Sequence, residues 1–438
     1  MSTAPLAPTA DLRRELDVPA APSLAPFRPA YWFGAFNGLT WMICLGTPMV
    51  LLAQHLGASA FQVGLASSFV FLLLPVQVVA TASLPRFGFK RQMTSAWLVR
   101  ALFLLVPLGL ASMDVDEPAP WMPALLVASV FGFCLLRAFG TAAHIPWMAA
   151  ILPIELRGRF FATDHAITSV VGVATLLGGA ALFASLPANA AFRIVYLAAL
   201  VGAVVAVRNL NRLPSAPAPP APPLRSMAGR ALQLCLRRGR FRHYLALMLT
   251  GSIVSSSLAA FTIYYLKVEH GLPSSALMLF TAAQFGGQIA GTWSIRHLID
   301  AIPLPRFFQV AVALTGAVDL FWLALLNGAD SLIPWLAVAY FVFGMGVGMT
   351  NVAHFTYLPE LSPEEERPIT IAIFTSALGL LSGVAPMLWG LALKKSGETP
   401  AIDVDHFVAF FAIGTALSVI LIGLYARLPD LRSLSRRS

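Results

Sequence analysis

The side chains able to do chemistry in this chain are few, and most stand inside long apolar stretches. Arg137 heads the most informative group, because Gly140, Thr141 and His144 follow it at helical spacing and share its stripe of a helix. A cation near the centre of an apolar span costs about 2.5 to 3.5 kcal/mol on insertion scales, so Arg137 must face protein or a water-filled cavity. It can bind a solute or tune a proton site there, or it can bond carbonyls at a helix end; the sequence leans to the first. Two carboxylates share such surroundings, Asp164 and Asp319. Asp164 lies at a depth that His144 could reach, so that pair is the expected proton site, with Asp319 as a further candidate. Asn37, Thr40 and Cys44 recur at i, i+3 and i+7. Ser252, Ser255 and Ser256 crowd another segment, Gln284 and Gln288 stand one turn apart, and Asn351 shares a face with His354. Of these, Asn37, Thr40, Ser255, Ser256, Gln284, Gln288 and Asn351 join Arg137 as candidates for lining a solute cavity. Taken singly, small hydroxyls in membrane helices more often serve packing.

The elements that would position these residues are membrane helices. Hydrophobic residues make up 58% of the chain and charged ones 11%, where soluble domains carry about 25% charged residues. Crossing the hydrocarbon core takes roughly 20 mostly apolar residues. Twelve segments qualify, at 31–56, 60–84, 94–112, 121–147, 160–185, 191–209, 243–267, 275–299, 306–327, 332–357, 369–394 and 405–427. An even number returns both termini to one face. Of the 29 Lys and Arg, 23 then fall on that face, 4 on the other, and 2, Arg100 and Arg137, inside spans. The positive-inside rule makes the terminal face cytoplasmic, and the same bias explains the basic balance without nucleic acid. Cys44, Cys134 and Cys235 are too scattered for a disulfide framework or a metal site. The expected layout is a disordered cytoplasmic tail at 1–30, a six-helix bundle at 31–209, a Pro- and Arg-rich cytoplasmic linker at 210–242, a second six-helix bundle at 243–427 and a tail at 428–438.

The two bundles carry one pattern written twice. Residues 143–162 and 353–372 align without a gap at a shift of 210, pairing His144 with His354, Pro153 with Pro363, Glu155 with Glu365 and Arg157 with Arg367. A repeat of that period marks an internal duplication. Between spans two and three stands Arg86-Phe87-Gly88-Phe89-Lys90-Arg91, and Gly291 and Arg296 hold the equivalent spacing in the second copy. With twelve spans, a basic central loop and charged turns after spans two, four, eight and ten, the chain resembles the major facilitator superfamily. The 86–91 turn is similar to that family's cytoplasmic signature, with Thr81 and Pro85 standing where the family has a Gly and an Asp. Arg137-Ala138-Phe139-Gly140 is similar to its span-four pattern, one residue shorter. The resemblance implies an all-α integral membrane fold of two pseudo-symmetric six-helix bundles around a midplane solute site between spans one, four, seven, eight and ten. Span nine is peripheral in that plan, which gives Asp319 a structural hydrogen bond as its expected role.

The missing signature Asp leaves closure of the cytoplasmic side to other acids. Glu364, Glu365 and Glu366 precede span eleven, where the helix macrodipole favours negative charge by about 0.3 to 1 kcal/mol each. Arg86, Gly88, Lys90 and Arg91 are therefore expected to form a gate with Glu365 and Arg367, and Arg296 to meet Glu155 beside Arg157 in the pseudo-symmetric position. The alternative is a solvated charged loop that only sets topology. The activity expected is secondary transport of a small solute by alternating access, with a proton as the candidate coupling ion. No cofactor, metal or nucleic acid is called for, and a monomer in the bilayer is expected. Arginine outnumbers lysine 25 to 4, which points to a high-GC bacterium and its inner membrane. The rivals are a lipid or lysolipid flippase, a polytopic membrane enzyme and a non-transporting sensor. An Asp-rich diphosphate motif, a paired His and Asp in a reactive loop and a nucleophile motif are all missing, which weighs against the enzyme.

Overall fold

The computed structural model describes residues 24–113, 118–217, 239–298, 302–361, 367–393 and 403–429. Among the described residues every regular element is a helix. A bilayer offers no water to the backbone, so each segment must satisfy its own peptide groups, and a helix does that. Span one comprises Arg28–Leu45 and Thr47–His55, span two Ala60–Leu72 and Leu74–Thr81, and span three Phe89–Leu102 and Leu105–Ser112. Spans four to six are Trp121–Ile151, Ile154–Ser185 and Ala188–Leu210. The second half follows as Arg240–Val268, Ser274–Leu298, Leu304–Leu326, Leu336–Tyr357, Arg367–Ala392 and Val404–Tyr425. Eleven of the twelve are long and apolar enough to cross a membrane by length and composition. The twelfth, Ser274–Leu298, carries Gln284, Gln288 and Arg296 and packs between spans five and ten.

The first three spans are broken helices. Gly46 is extended between the two pieces of span one, and Pro48 and Pro75 open the second pieces of spans one and two, where a missing N–H leaves no intrahelical bond unmade. Carbonyls near such breaks need donors from elsewhere. Arg137 donates to the Val70 carbonyl at 2.7 Å, beside the break in span two, and the Ser129 hydroxyl donates to the Phe103 carbonyl at 2.6 Å, at the break in span three. Span four thus props both of its broken neighbours.

Packing between spans eight and ten is backbone on backbone. A Cβ at Gly287 or Gly291 would strike the carbonyl of Phe341 or Met345, and one at Gly344 or Gly348 would strike that of Gln284 or Gln288. Small residues four positions apart on each helix permit this approach. The halves meet mainly along span two against span eleven and span five against span eight. Each half also closes on itself. Trp147 Nε1 donates to the carbonyl of Pro214, just past span six, at 2.9 Å, and the Tyr357 hydroxyl donates to that of Pro429, just past span twelve, at 3.2 Å. Trp147 and Tyr357 are 210 residues apart, so the repeat read in the sequence makes the same bond twice.

Candidate functional site

A cavity of about 250 Å³ lies between spans seven, nine, ten, eleven and twelve and reaches Phe71 of span two. Small residues create it. Gly251, Ser252, Ser255 and Ser256 come from one stretch of span seven, and Gly414 and Ser418 from one turn of span twelve. Asp319 lines it from span nine and Asn351 from span ten. Three of the cavity residues expected from sequence, Ser255, Ser256 and Asn351, are therefore brought together, and Asp319 joins them. The Ser252 and Ser255 hydroxyls return to carbonyls of their own helix, those of Leu249 and Gly251. Ser256 Oγ and Asp319 Oδ1 are buried without a hydrogen-bond partner. Asp319 is only 3% exposed, and its other oxygen lies against the Cα of Gly414, where any side chain would collide with it. The structural hydrogen bond expected of Asp319 is not formed at Oδ1. Gln284 and Gln288 stand instead at the spans eight and ten interface described above.

The first half holds its polar residues differently. Asn37 Oδ1 accepts from Trp97 Nε1 at 3.1 Å and from the Arg100 guanidinium at 2.6 Å. Thr40 is fully buried and donates to the carbonyls of Phe36 and Ala199. Both cavity candidates of span one thus serve contacts within their own bundle. Arg100 is 1% exposed and lies over the rings of Trp97 and Phe133, at 4.2 and 4.6 Å. Arg137 lies 4.7 Å from the Trp41 ring and caps the Val70 carbonyl. Each cation is housed by aromatic faces and neutral oxygens, an arrangement favourable out of water, and among the described residues neither meets a carboxylate. Arg100 is the residue that sequence reasoning passed over, although an arginine in an apolar span was signal enough.

His144 and Asp164 are not joined by a hydrogen bond or ion pair. The His144 ring lies 5.7 Å from that of Phe33, while the Asp164 carboxylate packs against Gly34 of span one. At a shift of 210 the residues Gly34, His144 and Asp164 become Tyr244, His354 and Phe374. That second trio is in contact. The Tyr244 hydroxyl lies 2.9 Å from His354 Nδ1, and the His354 ring stacks 4.6 Å from Phe374. One half has filled with aromatic rings the place where the other keeps a carboxylate.

At the face carrying the chain ends, Gly88 has a φ of +73°, a conformation that only glycine adopts without strain, and it ends the short helix Leu84–Phe87. Lys90 Nζ donates to the carbonyls of Asn211 and Leu213, at 2.9 and 2.8 Å, and so ties the signature turn to the end of span six. Arg86 lies over the ring of its neighbour Phe87, and Arg91 is exposed. Glu365, and the side chains of Glu155, Arg157, Arg296 and Arg367, lie outside the described residues. At the opposite face the halves are in contact. The Thr47 and Thr281 hydroxyls lie 2.5 Å apart, and the Tyr264 hydroxyl donates to the Ala58 carbonyl at 2.9 Å. Spans two and eleven run together there from Ala60 and Gly390 through Gly64 and Pro386 to Leu74 and Gly379.

No curated protein sequence matches the chain. Solved structures resemble it in shape. A point mutant of the nucleoside transporter NupG has a TM-score of 0.70 over 92% of this chain and 99% of its own, at 10% identity. A D-xylose–proton symporter has a TM-score of 0.69 over 92% and 97%, at 14% identity. A bacterial homologue of the iron transporter ferroportin in an inward-facing state has 0.64 over 96% and 99%, at 14% identity. At such identities the likeness is one of fold. The sequence profile of the Major Facilitator Superfamily matches residues 31–386 and 245–437. With two duplicated six-helix halves that pack face to face and a profile match spanning nearly every residue, the chain belongs to the Major Facilitator Superfamily.

Proposed function

We propose that this transporter moves a small solute across a bacterial inner membrane by alternating access, with both termini in the cytoplasm and the described conformation closed on the outer side. By family it is a secondary transporter and not an enzyme. The observation that supports the inward orientation is the position of the contacts between halves. Thr47 with Thr281, Ala58 with Tyr264 and Ala60 with Gly390 all lie on the face away from the chain ends, and the excess of Lys and Arg on the other face makes that one cytoplasmic. In this reading the solute enters from the cytoplasmic face and engages the cavity of spans seven, nine, ten, eleven and twelve where Phe71 of the first half closes it. Ser255 and Asn351 are its polar contacts.

The experiment is a solute screen by thermal stabilisation of the purified chain, followed by uptake of each stabilising solute into proteoliposomes with and without a pH gradient. Uptake that Ser255→Leu and Asn351→Leu abolish, while folded yield is kept, supports the reading. Uptake unaffected by either variant removes the cavity from the solute path. Acceleration by the gradient makes the proton the coupling ion.

A further inference from the structure

Among the described residues the Asp319 carboxylate makes no hydrogen bond at Oδ1, yet Asp319 is almost wholly buried. Spans nine, ten and twelve pack around it, and among the residues lining its cavity Tyr425 is the only other titratable side chain, with no Lys, Arg or His. An isolated carboxylate out of water persists only when a positive charge or a proton neutralises it. The duplication does not account for it. At the shift of 210, Asp319 corresponds to Gly109 and Gly414 to Val204, so the first half has no counterpart of this pair at the equivalent positions. Gly414 is what makes room, since a Cβ there would meet the Asp319 carboxylate. In the same cavity Ser256 Oγ is buried and also lacks a hydrogen-bond partner among the described residues. Two orphaned oxygens therefore share one cavity with the hydroxyl of Ser418 and the amide of Asn351. Oxygen atoms of this kind, one charged and several neutral, suit a hard cation or an ammonium group.

We infer that this cavity is a monovalent-cation site, in which Asp319 supplies the negative charge and Ser256, Ser418 and Asn351 supply neutral oxygens. A volume of about 250 Å³ accommodates a partly hydrated alkali ion or a small ammonium group as well as a proton, a water molecule occupying about 30 Å³. The site rests on the transporter reading for its biological use, but cation binding is measured without transport.

The test uses the purified full-length chain in detergent. Thermal unfolding is followed in sodium chloride, potassium chloride and methylammonium chloride, each against N-methylglucamine chloride at equal ionic strength, and separately across a pH series. The expected result is a saturable rise of a few degrees in the midpoint with one of these cations, lost in Asp319→Asn and with an apparent affinity weakened roughly tenfold in Ser256→Ala. Sodium or potassium as the effective species assigns an alkali ion, and methylammonium assigns an amine-bearing solute. A pH dependence lost in Asp319→Asn assigns the proton. A wild-type midpoint indifferent to every cation and to pH overturns the site, as does a response that Asp319→Asn leaves intact. Should Asp319→Asn fail to fold, the wild-type series and Ser256→Ala still decide. Cation-dependent stabilisation without uptake of any solute into proteoliposomes would keep the site and discard the transport reading.

Discussion

The hydroxyls of Thr47 and Thr281 are hydrogen-bonded across the two halves, one from span one and one from span eight, and both residues are buried. A buried bond of this kind contributes about 1 kcal/mol net, which alters a two-state ratio roughly fivefold. Thr47→Val leaves the Thr281 hydroxyl only its bond to the Leu277 carbonyl, so the form closed at that face should lose population. Electron–electron resonance distances between spin labels on the loops at 56–59 and 269–273 should broaden toward longer values. An unchanged distribution would remove this bond from the mechanism.

Arg137→Ala takes away both the donor to Val70 and the cation over Trp41. Losing a bond from a charged group should destabilise the first half by about 1.5 to 3 kcal/mol, read as a lowered unfolding midpoint in detergent. Arg137→Lys keeps a donor and a charge and should recover part of the loss. If Arg137 instead serves only the solute, the midpoint stays at the wild-type value while uptake falls.

Gly287 and Gly344 face each other's helix backbones with no room for a methyl group. Gly287→Val and Gly344→Val should each separate spans eight and ten at a cost of about 1 to 3 kcal/mol or more, with a drop in monodisperse yield on size exclusion. Gly178 offers a control, because nothing lies within reach of a Cβ there and Gly178→Ala should be neutral.

Lys90 ties the signature turn to the end of span six. Lys90→Met should raise amide exchange at 208–213 without changing that of span four. The gate expected from sequence is tested separately by charge reversal at Arg86 and Glu365, singly and together. Uptake restored in the double variant supports their meeting in one transport state, and failure of rescue dismisses it.

Asp403 caps span twelve outside the membrane segment. Its Oδ1 accepts from the His406 N–H at 3.2 Å and its Oδ2 lies 3.1 Å from His406 Nδ1. The backbone bond first, and the His406 ring beside it, hold the carboxyl below the usual carboxylate range. Because the folded value is the lower one, the cap is present above the unfolded carboxylate pKa and is lost as pH falls through the folded one. Exchange at 404–408, corrected for intrinsic rate, should therefore rise in the wild type only as pH falls below the usual carboxylate range, and already at neutral pH in Asp403→Ala.

Hydropathy and the 210-residue repeat made the architecture legible, because lipid admits few alternatives to the helix and a duplication repeats its contacts. Side-chain roles were legible in type but not in direction. The stripe of Arg137 was readable from the helical period, while span two was read as one unbroken helix over 60–84, and only the fold shows its break and brings Arg137 to Val70 beside it. Depth along a helix placed His144 and Asp164 level, while rotation about the helix axis turned one to Phe33 and the other to Gly34. Asp319 was assigned a bond because its span is peripheral in related folds; what the sequence could not display is that Gly414 opens a cavity beside it.

The bonds from Trp147 to Pro214 and from Tyr357 to Pro429 fasten each half at its own exit. The end of the last helix in each half is thereby held to the fourth span of that same half, and the two halves are fastened alike.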